Sequence, residues 1–143
     1  MKYMLLICRD EPTWDRLSVT ERQQIYGESM ELAQELTSRG QYLSGSPLHP
    51  SSSATSVRVR DGKRLVTDGP FAETREQLGG YMLIDVKDLD EAIAIAARIP
   101  LARTSTVEVR PVREGPPTQG RSGGLGTIRR DDLNRRNGRS YSD

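Results

Sequence analysis

Two capped helices, each set between strand-length apolar runs, constrain this chain more than any other feature. Ser18-Val-Thr-Glu21 has the form of a capping box, in which the Ser18 hydroxyl accepts from the third helical amide and Glu21 reaches back. Asp88-Leu-Asp-Glu91 has the same form. From the first box the pattern predicts a helix to about Ser38, with Gly40 as a left-handed C-cap. Ile25, Ser29, Leu32 and Leu36 run beside Tyr26, Met30, Ala33 and Thr37 as its apolar stripe. The second box predicts a helix carrying Ala92, Ile93, Ala96 and Ile99 inward and ending before Pro100.

The flanking runs read as strands. Tyr3 to Cys8 is continuously apolar, as expected of a central strand buried on both faces. Arg9 to Leu17 is expected to be a loop. Tyr42-Leu43 begins a short strand that gives way to a Ser/Pro/Gly-rich loop through Ser53. Thr55 to Arg60 alternates, Asp61-Gly62 is a two-residue hairpin signal, and Arg64 to Thr67 returns. Tyr81 to Val86 and Val107 to Val112 are the last two strands. The fold class is therefore α+β, a ferredoxin-like split βαβ sheet with two helices on one face. Its other face needs cover, and a face-to-face homodimer supplies it.

Composition sets limits on function. The 143 residues suffice for one domain with a core. Net charge is +1, but residues 113–143 hold seven Arg against four acids, which leaves −2 for residues 1–112. That segment also holds six Gly and few large aliphatics, so 1–112 is read as the domain and 113–143 as a basic flexible tail. Neither charge nor interleaved aromatics favour nucleic acid as a partner. The single cysteine, Cys8, allows no internal disulfide and is expected to be buried and inert. The six-residue apolar start, charged at both ends, is not expected to be a leader, and no run reaches bilayer length. A cytoplasmic protein is expected, with no membrane contact. One His and one Cys make no metal site by spacing, and no glycine-rich phosphate loop precedes a helix, so neither metal nor cofactor is expected.

Asp68-Gly-Pro-Phe-Ala-Glu-Thr-Arg-Glu-Gln-Leu-Gly-Gly-Tyr81 is too rich in polar groups for a simple connector. Asp68 reads as an Asx-turn residue or as a cleft-mouth base. Phe71 reads first as a core anchor for the loop and otherwise as a stacking surface for substrate. Glu73 and Arg75 flank Thr74 and read as a surface ion pair, or Arg75 as a clamp on a substrate carboxylate. Gly79-Gly80 lets the chain re-enter the sheet or bulge there. His49 is the only histidine and reads as a solvated loop residue or as a general base. Arg9 and Asp10, at the carboxyl end of the first strand, are candidates to line the cleft.

This segment, with Met1-Lys-Tyr-Met-Leu-Leu6, Val57-Arg-Val-Arg-Asp-Gly62, Asp88-Leu-Asp-Glu-Ala92 and Val107-Glu-Val-Arg-Pro-Val112, resembles the DGPF-motif branch of the YCII-related family over about residues 1–112. The resemblance implies a dimeric α+β barrel with a cleft near the loops. It also implies proton transfer, isomerisation or elimination on a carboxylated or phenolic small molecule. The alternative it carries is a non-catalytic, ligand-binding accessory linked to an extracytoplasmic-function sigma factor. On the enzyme reading Asp68, His49 and Tyr81 are the catalytic candidates, with Arg75, Phe71, Glu73, Thr74 and Arg9 binding substrate. Relatives with a His–Asp dyad carry the histidine in the first helix, whereas Arg22 to Leu36 here contains none.

Overall fold

The computed structural model describes residues 1–115; the expected tail beyond that point lies outside the described residues. Six strands and three α-helices follow in the order β1 (Lys2–Asp10), α1 (Glu11–Asp15), α2 (Val19–Ser38), β2 (Tyr42–Pro47), β3 (Thr55–Arg60), β4 (Lys63–Asp68), β5 (Glu76–Asp85), α3 (Leu89–Arg98) and β6 (Val107–Pro111). Four strands form an antiparallel sheet in the order β2-β5-β1-β6, and β3-β4 forms a separate hairpin. Each long helix crosses from one sheet strand to another with a third strand between them, which is the ferredoxin-like arrangement. No helix among the described residues is long and apolar enough to cross a membrane.

Helix α2 begins at the Ser18–Glu21 box, where both reciprocal hydrogen bonds form. At α3 only half the box closes as expected. Asp88 accepts from the Glu91 amide, while the Glu91 carboxylate takes the Lys87 amide and the Gln41 side chain. Glu35 on α2 binds both Arg39 and Arg98, and those guanidinium groups hold its carboxyl below the usual range.

One sheet face and the two helices make the core. Leu5, Leu36 and Ile84 are fully buried, with Tyr3, Leu32, Met82, Ala92, Ile95 and Ala96 around them. The α3 register differs from expectation in one position: Ile95 is buried and Ile93 is half exposed. Strand β1 is buried on one face only. Met4, Leu6 and Cys8 alternate outward and remain partly exposed beside Leu78, Tyr81 and Leu83 of β5. Burial is still the main cause that pushes the Cys8 thiol up, with the Glu76 and Glu108 carboxylates adding to it. The thiol is therefore held in its unreactive protonated form.

The β3-β4 hairpin pairs Val57 with Val66 and turns at Asp61-Gly62, both with positive φ. Val57, Val59, Leu65 and Val66 are all about half exposed or more, so the hairpin contributes little to the core.

Candidate functional site

Strand β1 alternates, and its inward positions are Tyr3, Leu5, Ile7 and Arg9. An arginine thus occupies the fourth place in a row of core residues. It is the buried charged residue among those described, only 4% exposed. Room for it comes from β5. The β1–β5 register slips between Ile7 and Cys8, leaving Gly79 as the extra residue of a bulge. A Cβ on Gly79 would lie 2.8 Å from Arg9 Cδ and 2.9 Å from its Nε, so only glycine leaves space for this side chain.

Directly after β1, Asp10 caps the short helix α1, accepting from the Thr13 amide and hydroxyl at 3.1 Å. The sequence pattern gave a loop here; Asp10 and Pro12 are what close it into a helical turn. That turn buries Trp14 against Arg9, whose guanidinium carbon stands 4.8 Å from the ring centre. Tyr26 meets the ring edge-on at 5.6 Å, and Arg22 stands 5.7 Å away while donating to the Trp14 and Asp15 carbonyls. Trp14 is therefore fixed on three sides.

Between α2 and the open end of the inward sheet face lies a cleft of about 380 Å³. Ile25, Tyr26, Ser29, Met30 and Ala33 form its helical wall. The sheet wall is Ile7, Met82 and the bare backbone of Gly79-Gly80, with Tyr42 and Gly45 of β2 at one side. Arg9 and Trp14 close one end. The lining is almost wholly apolar and aromatic, with a single charge. A few placed polar groups in an apolar cavity of this size are what a small-molecule site requires.

A second cavity, about 430 Å³, is polar and is lined by Asp10, Glu11, Arg16, Ser51, Thr74 and Arg75 among others. Most of its charge is already committed. Arg75 pairs with Asp10 at 3.2 Å, and the Glu11 carboxylate accepts the Ser51 amide and hydroxyl at 2.7 Å each. The Thr13 amide first, then Arg75, hold the Asp10 carboxyl below its usual range.

The residues singled out in the sequence are distributed over both places. Arg9 lines the apolar cleft, and so does Tyr81, by its backbone, since β5 alternation turns its side chain away from Met82. Thr74 and Arg75 line the polar cavity. Asp68 and His49 are exposed, line neither cavity, and share no hydrogen bond with Tyr81 among the described residues. Gly69, at φ 94°, makes the turn after Asp68, and no side-chain hydrogen bond to Asp68 is formed there among the described residues. Glu73 is exposed and Arg75 takes Asp10 in its place. Phe71 does not anchor the loop in the core. It is 83% exposed, because the strand before it, β4, is itself exposed along its whole length and offers no interior to enter.

Trp14, Tyr26, Tyr42 and the stripe from Ile25 to Ala33 are site residues that the sequence pattern does not single out. One signal was available: a charge at the inward position of an alternating strand, five residues before the only tryptophan.

Comparison with known proteins gives a match to the model described as "YCII-related domain" over residues 1–116. An uncharacterized protein of Rhizobium meliloti (strain 1021) is 35% identical over 114 residues, covering 78% of this chain and 92% of the relative.

Proposed function

Because this chain belongs to the YCII-related family, we propose that it is a small-molecule-binding protein whose ligand enters the cleft between α2 and the Gly79-Gly80 stretch of β5. The observation that carries this reading is the cleft itself: a ring-lined apolar cavity of about 380 Å³ in a 112-residue body with a small core. Apolar cavities left open to water are costly unless something fills them. The Asp68-Gly-Pro-Phe71 motif supports assignment to the DGPF branch.

The partly exposed apolar face formed by Met4, Leu6, Cys8, Leu78, Tyr81 and Leu83 supports pairing with a second copy through the sheet. Binding without turnover suits a regulatory accessory, including one that serves a sigma factor. A reaction on the bound molecule is the second reading, favoured by the polar cavity that begins at Asp10, one residue from Arg9. In that reading Arg75, which lines that cavity, orients a carboxylate for proton transfer, isomerisation or elimination.

Trp14 is the only tryptophan and stands at the cleft, so its emission reports occupancy. The uncharged probe N-phenyl-1-naphthylamine is expected to bind and to take energy from Trp14. Filling the cleft with Ala33→Phe should abolish that transfer while leaving the far-ultraviolet circular dichroism unchanged. Equal binding by both proteins would place the probe elsewhere and reject the cleft.

A further inference from the structure

Arg9 is in the wrong company for a structural arginine. Five exposed arginines of the chain, Arg39, Arg75, Arg98, Arg103 and Arg110, each hold a carboxylate within bridging distance. Arg9, more buried than any of them, holds none among the described residues. Its Nη2 reaches the Leu48 carbonyl at a long 3.3 Å. Its Nε is sealed from solvent without an acceptor among the described residues. The Nη1 group is also without a protein acceptor among the described residues, and Arg9 lines the cleft. The Trp14 ring offsets only part of the cost of burying this cation. Removing a charge from water without a partner is among the most expensive arrangements a fold can keep. The bulge at Gly79 leaves space for it at the one point where any larger residue would displace it.

We infer that Arg9 is the anion seat of the cleft, and that the ligand is a flat, apolar molecule carrying a carboxylate. This rests on the reading of the cleft as the ligand site. A carboxylate matches the planar fork of a guanidinium with two parallel hydrogen bonds. The rest of the ligand lies along the bare Gly79-Gly80 backbone, facing Tyr26 and Ile25. A side-chain-free stretch of the sheet opposite rings and branched chains leaves a slot, which selects for flatness. Arg9 is thereby a specificity-determining residue, and anion binding supplies the partner that the protein omits.

The test uses the full 143-residue chain and Trp14 emission, with three probes: 2-naphthoate, its uncharged isostere 2-naphthamide, and acetate. The expected result is 2-naphthoate binding about 10- to 100-fold tighter than 2-naphthamide, the range for a hydrogen bond to a charged group. Acetate, lacking the ring, should compete only weakly. Arg9→Met keeps the stem and deletes the charge; it should erase the preference while melting no lower than the parent. Arg9→Lys keeps a point charge and should retain part of the preference. Equal affinity for both naphthalene probes in the parent chain overturns the anion seat and leaves the cleft standing. Preference that survives in Arg9→Met also overturns it, as does a variant that loses its fold while Arg9→Lys shows no preference. Binding of neither naphthalene probe rejects cleft and anion seat together.

Discussion

Leu36→Ala should lower the unfolding free energy by about 3 kcal/mol, the centre of the range for emptying a buried leucine site. Leu36 is fully buried on α2, in one cluster with Leu5 and Ile84 of the sheet. The removed methyl groups leave a cavity between two rigid layers, helix and sheet, that cannot close without moving one of them. A domain of this size holds only about 5–15 kcal/mol in all. The melting midpoint should fall by roughly 10–20 °C. Met30 lies on the same helix but is 64% exposed at the cleft. Met30→Ala should therefore cost under about 1 kcal/mol. Equal losses for the two variants in denaturant titrations would mean that α2 is not seated as described.

Gly79→Ala should have the larger effect on function. Gly79 does not have positive φ, so its backbone accepts alanine without conformational strain. The trouble is the 2.8 Å approach to Arg9 Cδ, in the middle of a buried side chain that has no free path to yield. Either Arg9 leaves the cleft or β5 shifts, at about 1–3 kcal/mol of overpacking. With Arg9 displaced, binding of 2-naphthoate should weaken by tenfold or more. The interaction is testable as a cycle, because contacting residues are not additive. In an Arg9→Ala background the atoms that collide are gone, and the added methyl should cost close to nothing. The same stability loss in both backgrounds would show that Gly79 is constrained by something other than Arg9.

The architecture was legible because it is written in local signals. The Ser18 box, the alternation of β1 and the Asp61-Gly62 turn each depend on residues within one or two turns of chain, and period and capping are local physics. Three departures share a different cause. Phe71 looked like a core anchor from its chemistry, but whether a core lies beneath it depends on how far the hairpin stands from α2. The half-exposed outward face of β1 looked doubly buried because an apolar run is silent about which of its sides is covered. Ile93 and Ile95 exchange roles in α3 because both fit an apolar stripe, and only contact with the sheet decides between them.

The site was half legible for the same reason. Arg9 was marked as a cleft residue by its position after a strand, and Gly79-Gly80 as a bulge. That these two fit together, and that Trp14 closes over Arg9, requires β1, β5 and α1 to be in place at once. The polar segment from Asp68 to Tyr81 drew attention by density of functional groups. Much of that density is bound up within the protein instead: Thr74 donates to the Glu76 carbonyl, the Gln77 amide spans the Ala72 and Thr74 carbonyls, and Arg75 reaches back to Asp10.

The crystal structure of the chain with 2-naphthoate bound tests the central claim most directly. The carboxylate should lie within hydrogen-bonding distance of the Arg9 guanidinium, with the rings between α2 and the Gly79-Gly80 backbone. Ligand density at Asp68 or Arg75, with the Arg9 cleft empty, would contradict it.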